Sequence, residues 1–164
     1  METTAKSKQE KKQAGPALQK EIVINRVFDL PVSKLWKAWT EPEYFKKWWG
    51  PKDYTCPFSK MEARVGGKYL NRMRGPFGKE FCSTGVVKEF VPGKKLVVSD
   101  RFSDEKENTK PAGMPGELLI TVTMKETDGS TRLRLRHEGI SDEMRYECIR
   151  NWNQSLDKLQ KNIR

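Results

Sequence analysis

Six residues near the end of the chain, Met144, Cys148, Trp152, Leu156, Leu159 and Ile163, recur at spacings of four, four, four, three and four. At about 100° per residue they fall within a stripe roughly 120° wide, which is one buried face of a long helix. Ser141 or Asp142 is placed to cap its start. A helix over residues 142–164 needs an apolar surface about 30 Å long, since about 22 residues rise some 1.5 Å each. Only the inner face of a sheet offers that area. The sheet must therefore curve around the helix.

The rest of the chain supplies such a sheet. Residues 21–28, EIVINRVF, are rich in β-branched and aromatic side chains and read as a strand. Pro31 breaks it, and Val32, Leu35, Trp36 and Trp39 then follow at helical spacing, predicting a short helix over 32–40. Thr40, Pro42 and Glu43 stand at capping-box positions for a second short helix ending by Gly50-Pro51. From Tyr54 to Glu138, strand-like segments are divided by Gly66-Gly67, Gly75-Pro76-Phe77-Gly78, Pro92-Gly93 and Asp128-Gly129. Short turns of this kind join antiparallel neighbours. One connection, residues 103–116, is longer, polar and rich in proline and glycine, as functional or mobile loops are.

Alternation assigns the faces. Leu133, Leu135 and His137 oppose Arg132, Arg134 and Arg136, so one face is buried and the other wet and basic. Likewise Tyr69, Asn71 and Met73 oppose Leu70, Arg72 and Arg74, while Leu96, Val98, Asp100 and Phe102 oppose Val97, Ser99 and Arg101. Leu118, Ile120, Val122 and Met124 share the inner face. The fold class that results is α+β: a curved antiparallel sheet of about seven strands, two short helices after the first, and a long C-terminal helix.

The whole order resembles the helix-grip, START-like fold. More specifically, INRVFDLPVSKLWKAWTEPEYFKKWWGP resembles the opening signature of proteins grouped with the C-terminal domain of the activator of heat-shock-protein-90 ATPase. MEARVGGKYLNRMRGPFG, GVVKEFVPGKKLVVSDRF, DGSTRLRLRHEG and WNQSLDKL resemble later motifs of that family, in order. Asn151 departs from the glycine that many relatives carry before the tryptophan. The likeness spans residues 20–164 and leaves 1–19 as a basic, disordered tail. The larger superfamily holds lipid and hormone carriers, polyketide cyclases and aromatases, RNA-linked proteins and the co-chaperone domain, so the resemblance implies several functions and selects none.

The net charge of +10 suits acidic partners or anionic surfaces. No apolar run approaches the ~20 residues of a membrane span and no secretory leader is evident, so a cytoplasmic location is expected. Cys56, Cys82 and Cys148 are odd in number and widely spaced, which predicts buried free thiols rather than disulfides or a zinc site. With a single histidine, neither a metal nor a cofactor is expected. Trp48-Trp49 between Lys46-Lys47 and Lys52 interleaves aromatic and basic residues, but a helix end explains it and nucleic acid is not an expected partner.

Asn71, Asp100 and His137 are polar residues on the predicted inner face, and polar groups converging in an apolar space describe a ligand site. A dry void of ~300 Å³ would cost about 7 kcal/mol, half or more of a typical ~5–15 kcal/mol stability. Any space there must hold water, ligand or side chains. The expected ligand is a small apolar or amphipathic molecule contacting Trp36, Trp39, Trp48, Tyr54, Tyr69, Asn71, Met73, Asp100, Phe102, His137, Met144, Cys148 and Trp152. A rival reading places an acidic protein, such as a chaperone ATPase, on the basic face of Arg72, Arg74, Arg101, Arg132, Arg134 and Arg136. A third makes the chain a cyclase or aromatase-like enzyme using His137 and Asp100.

Overall fold

The computed structural model describes residues 20–104 and 117–163. The expected tail over 1–19 and most of the long loop lie outside them. Strand β1 (Glu21–Phe28) is followed by α1 (Val32–Thr40), α2 (Pro42–Phe45), β2 (Thr55–Met61), β3 (Lys68–Arg74), β4 (Glu80–Val91), β5 (Lys95–Asp104), β6 (Leu118–Thr127), β7 (Ser130–Glu138) and α3 (Asp142–Asn162). The seven strands form one curved antiparallel sheet in the order β1-β7-β6-β5-β4-β3-β2. It is a meander from β2 to β7, with β1 closing beside the last strand.

Register carries the face assignment across the sheet. Ile22 pairs with His137 and Ile24 with Leu135, while Ile120 pairs with His137 and Val122 with Leu135. These side chains are buried together against α3. Arg132 and Arg134 face outward and are exposed. The outer face is not uniformly wet, however: Val97 and Ser99 are buried there, and Ser99 Oγ accepts the Val86 N–H. At Gly85, a Cβ would lie 1.8 Å from the Ser99 carbonyl oxygen, so only glycine lets β4 and β5 approach this closely.

The helix ends differ from expectation in detail. Thr40 is the last residue of α1 and bonds back to the Trp36 carbonyl, because its helix runs on through it; Glu41 takes the cap position of α2. Ser141 occupies the cap position of α3 without a side-chain cap bond. Instead, Lys20 pairs with Asp142 in the first turn, and the Arg145 guanidinium donates to the Glu21 carbonyl. Gly139, at φ +97°, makes the turn from β7 into α3, where a Cβ would meet Leu118 at 2.9 Å.

The apolar stripe of α3 is continuous in sequence but not in burial. Trp152, Leu156, Leu159 and Ile163 are buried against the sheet and α1, whereas Met144 and Cys148 are only half-buried. Arg26 on β1 reaches Asp157 at 2.7 Å and Asn153 at 3.1 Å, clamping the C-terminal half of α3. Under the N-terminal half, the helix stands off the sheet and leaves a space.

Candidate functional site

That space is a cavity of about 300 Å³ between the sheet and the first four turns of α3. Each wall comes from a different element. Strands β3 to β7 contribute Met73, Phe81, Asp100, Phe102, Leu118 and His137. The helix contributes Met144, Glu147, Cys148, Asn151, Trp152 and Ser155. Ile140 lies at the β7–α3 turn, and the segment after α2 adds Trp49, Gly50, Pro51 and Tyr54. This last wall is tied to the helix: Lys158 Nζ donates to the Tyr54 and Pro51 carbonyls at 2.9 and 3.2 Å, and the Lys52 N–H donates to Gln154 Oε1.

Two polar side chains sit deep in the wall. His137 is 2% exposed, and its Nδ1 accepts the Trp152 indole N–H at 2.9 Å. An accepting Nδ1 puts the proton of the neutral ring on Nε2, and that atom is buried with no partner. Burial holds the ring neutral by pulling its pKa down from 6.5 to about 4. Asp100 is 1% exposed; Ser83 donates to its Oδ1 at 2.5 Å, and the Tyr69 hydroxyl lies 2.6 Å from the same atom. Tyr69 also reaches the Ser99 carbonyl oxygen at 2.7 Å. Oδ2 is buried and unpartnered. Burial raises the Asp100 pKa, partly offset by the Ser83 and Tyr69 hydroxyls. Asp100 pairs with Leu118 and His137 with Ile120 on the intervening β6, so the two residues stand about 12 Å apart across the sheet.

Of the thirteen residues expected to contact a ligand, eight line this cavity: Tyr54, Met73, Asp100, Phe102, His137, Met144, Cys148 and Trp152. Five do not. Trp48 is fully buried because its indole donates to the Ala38 carbonyl, anchoring α2 on α1, and its neighbour Trp49 turns to the cavity instead. Trp39 stacks behind Trp152 with centroids 5.9 Å apart. Trp36 packs edge-on against Phe90. Tyr69 spends its hydroxyl on the Asp100 cluster, and Asn71 Oδ1 accepts from Ser59. Glu147, Asn151 and Ser155 also line the cavity although they flank the apolar stripe; each lies three or four residues from a stripe member, and that spacing is their signal in the sequence.

Cys148 Sγ lies 3.7 Å from His137 Nδ1, but burial pushes its thiol up to about 12, so it is a poor nucleophile. Among the described residues, no three His, Cys, Asp or Glu side chains are grouped to hold a metal ion, and no helix is long and apolar enough to cross a membrane.

The six outer arginines divide into clusters. Arg72 and Arg74 on β3 lie four strands from Arg132, Arg134 and Arg136 on β7, about 19 Å away, with Arg101 on β5 between. Glu80 lies 2.7 Å from Arg74 and 3.8 Å from Arg72. Glu21 lies 2.6 Å from Arg136, with Glu138 at 3.7 Å. Arg72, Arg74 and Arg136 thus each have a carboxylate beside them.

Solved structures share this architecture. A crystal structure of a protein from Chromobacterium violaceum is 29% identical, with a TM-score of 0.76 over 88% of this chain and 97% of the other. A solution structure from Arthrobacter aurescens is 25% identical, with a TM-score of 0.76 over 88% and 84%. The AHSA1 protein of Silicibacter pomeroyi, 22% identical, has the same fold at a TM-score of 0.73 over 87% and 96%. A search of curated proteins found no match. The family described as Activator of Hsp90 ATPase homolog 1-like protein matches residues 29–164, nearly the whole described fold. The chain belongs to the Activator of Hsp90 ATPase homolog 1-like family.

Proposed function

We propose that this protein binds a small apolar or amphipathic molecule between the sheet and the N-terminal half of α3. One observation carries the reading: a mostly apolar cavity of about 300 Å³ whose wall holds two buried polar side chains, Asp100 and His137, each with an atom left unpartnered. Leaving a buried donor or acceptor unmade costs about 1–3 kcal/mol. A ligand that fills the space and meets these atoms recovers both costs. Trp152 and Phe102 would supply contact area.

Thermal shift and native mass spectrometry with lipophilic probes test this. A ligand present at one hundred times its Kd stabilises by about 2.7 kcal/mol, a shift of several degrees. Absence of any bound species or shift across a broad probe set refutes the proposal.

A second reading rests on the family name together with Arg132 and Arg134, both exposed on the outer face, where Lys125 pairs with Arg132. It is docking of an acidic chaperone surface. Salt and Arg134→Glu should each weaken a chaperone pull-down; indifference to both eliminates it.

A further inference from the structure

Buried hydrogen-bond donors are left free around the cavity. Trp49, Asp100 and His137 line it, and each has a buried atom without a partner: Trp49 Nε1, Asp100 Oδ2 and His137 Nε2. An indole nitrogen only donates. His137 Nε2 is also a donor, because Trp152 supplies a proton to Nδ1 and the neutral ring must carry its own on the other nitrogen. For Asp100, Oδ1 is already met by Ser83 and lies within reach of Tyr69, which leaves Oδ2 as the place for a proton when the carboxyl is neutral. Burial favours that neutral form.

Charge points the same way. Among the described residues lining the cavity, none is Lys or Arg, and the formally acidic ones are Asp100 and Glu147. A ligand carboxylate drawn into the wall would lose its water and meet no cation, although the chain as a whole is strongly basic. A neutral carbonyl oxygen would lose little and gain a hydrogen bond it cannot find in an all-apolar pocket.

We infer that the cavity selects uncharged ligands carrying a carbonyl-type acceptor oxygen, with His137 Nε2–H as its donor, and discriminates against carboxylates of the same shape. This deepens the ligand-binding reading above and rests on it. The assignment differs from general greasiness in a measurable way, since a purely apolar pocket ranks ligands by hydrophobicity alone.

Three probes of one shape separate the possibilities: 2-acetonaphthone, 2-ethylnaphthalene and 2-naphthoate. Their Kd values are measured by equilibrium dialysis at neutral pH on the full chain. The ketone should bind about fivefold tighter than the more hydrophobic hydrocarbon, and more than about tenfold tighter than the carboxylate. In His137→Phe the ketone-to-hydrocarbon ratio should fall to about one, and His137→Gln, which keeps an N–H, should restore part of it. Should His137→Phe not fold, the wild-type ranking still decides. A naphthoate that binds as tightly as the ketone, or a hydrocarbon that binds better, overturns the selectivity while leaving ligand binding intact. A ratio unmoved by His137→Phe overturns the role of His137. Binding of none of the three overturns this inference together with the reading beneath it.

Discussion

Neutral His137 ties the stability of this fold to pH, and the sign can be worked out. In the unfolded chain the imidazole takes up a proton near pH 6.5, whereas in the folded protein burial delays protonation to about pH 4. As pH falls through this window the unfolded state binds the extra proton, so the folded state loses ground. Stability is whole above about pH 7 and the loss levels off below about pH 4. At pH 4.5 that shift corresponds to a loss of about 2–3 kcal/mol. Asp100 works in the opposite direction, since its raised folded pKa favours the native state as acid is added. The two are separated by difference. His137→Gln keeps Asp100 and removes the imidazole, so the gap between wild type and variant isolates the histidine. Urea denaturation of both proteins at pH 7.5 and 4.5 measures it. The wild-type advantage should shrink by about 2–3 kcal/mol between these values. A gap that stays constant within about 0.5 kcal/mol would show that the folded ring titrates as it does in the unfolded chain, and the burial that holds it neutral would be refuted.

The remaining expectations concern the two halves of the helix and the thiols. Leu156→Ala should cost about 3 kcal/mol in denaturant unfolding, because the side chain is fully buried, and Met144→Ala should cost under about 1, because it borders open space; equal costs would contradict the uneven burial. Gly139→Ala should lose at least about 1 kcal/mol, since it combines φ +97° with a 2.9 Å approach to Leu118, and an unchanged melting temperature would refute the strain. Burial pushes Cys56 up to about 11 and Cys148 to about 12, so at pH 8 both should react with a disulfide reagent at least about tenfold slower than in the unfolded chain. Rapid native labelling of Cys148 would count against that environment.

Much of the architecture was legible because it rests on period. The alternation in LRLRH and the four-residue recurrence from Met144 to Leu156 each follow from one geometric constant, and the structure keeps both faces as read. The site was less legible where neighbours compete. Trp48 and Trp49 are chemically identical, and which one faces the cavity depends on the Ala38 carbonyl receiving the indole of Trp48. No period encodes that contact. Tyr69 and Asn71 lie on the correct face, yet Asp100 and Ser59 occupy their polar atoms. Alternation places the arginines on the outer face, but their spread comes from strand order: a meander from β2 to β7 holds β3 and β7 four strands apart.

The uneven seating of α3 divides labour along a single element. Its far end, locked by Leu156, Leu159 and the Arg26 clamp, keeps the molecule folded; its near end, at Met144, Glu147, Cys148 and Asn151, shapes the chamber while bearing little of that burden. Substitutions can therefore accumulate in the first turns and reshape the chamber without endangering the scaffold.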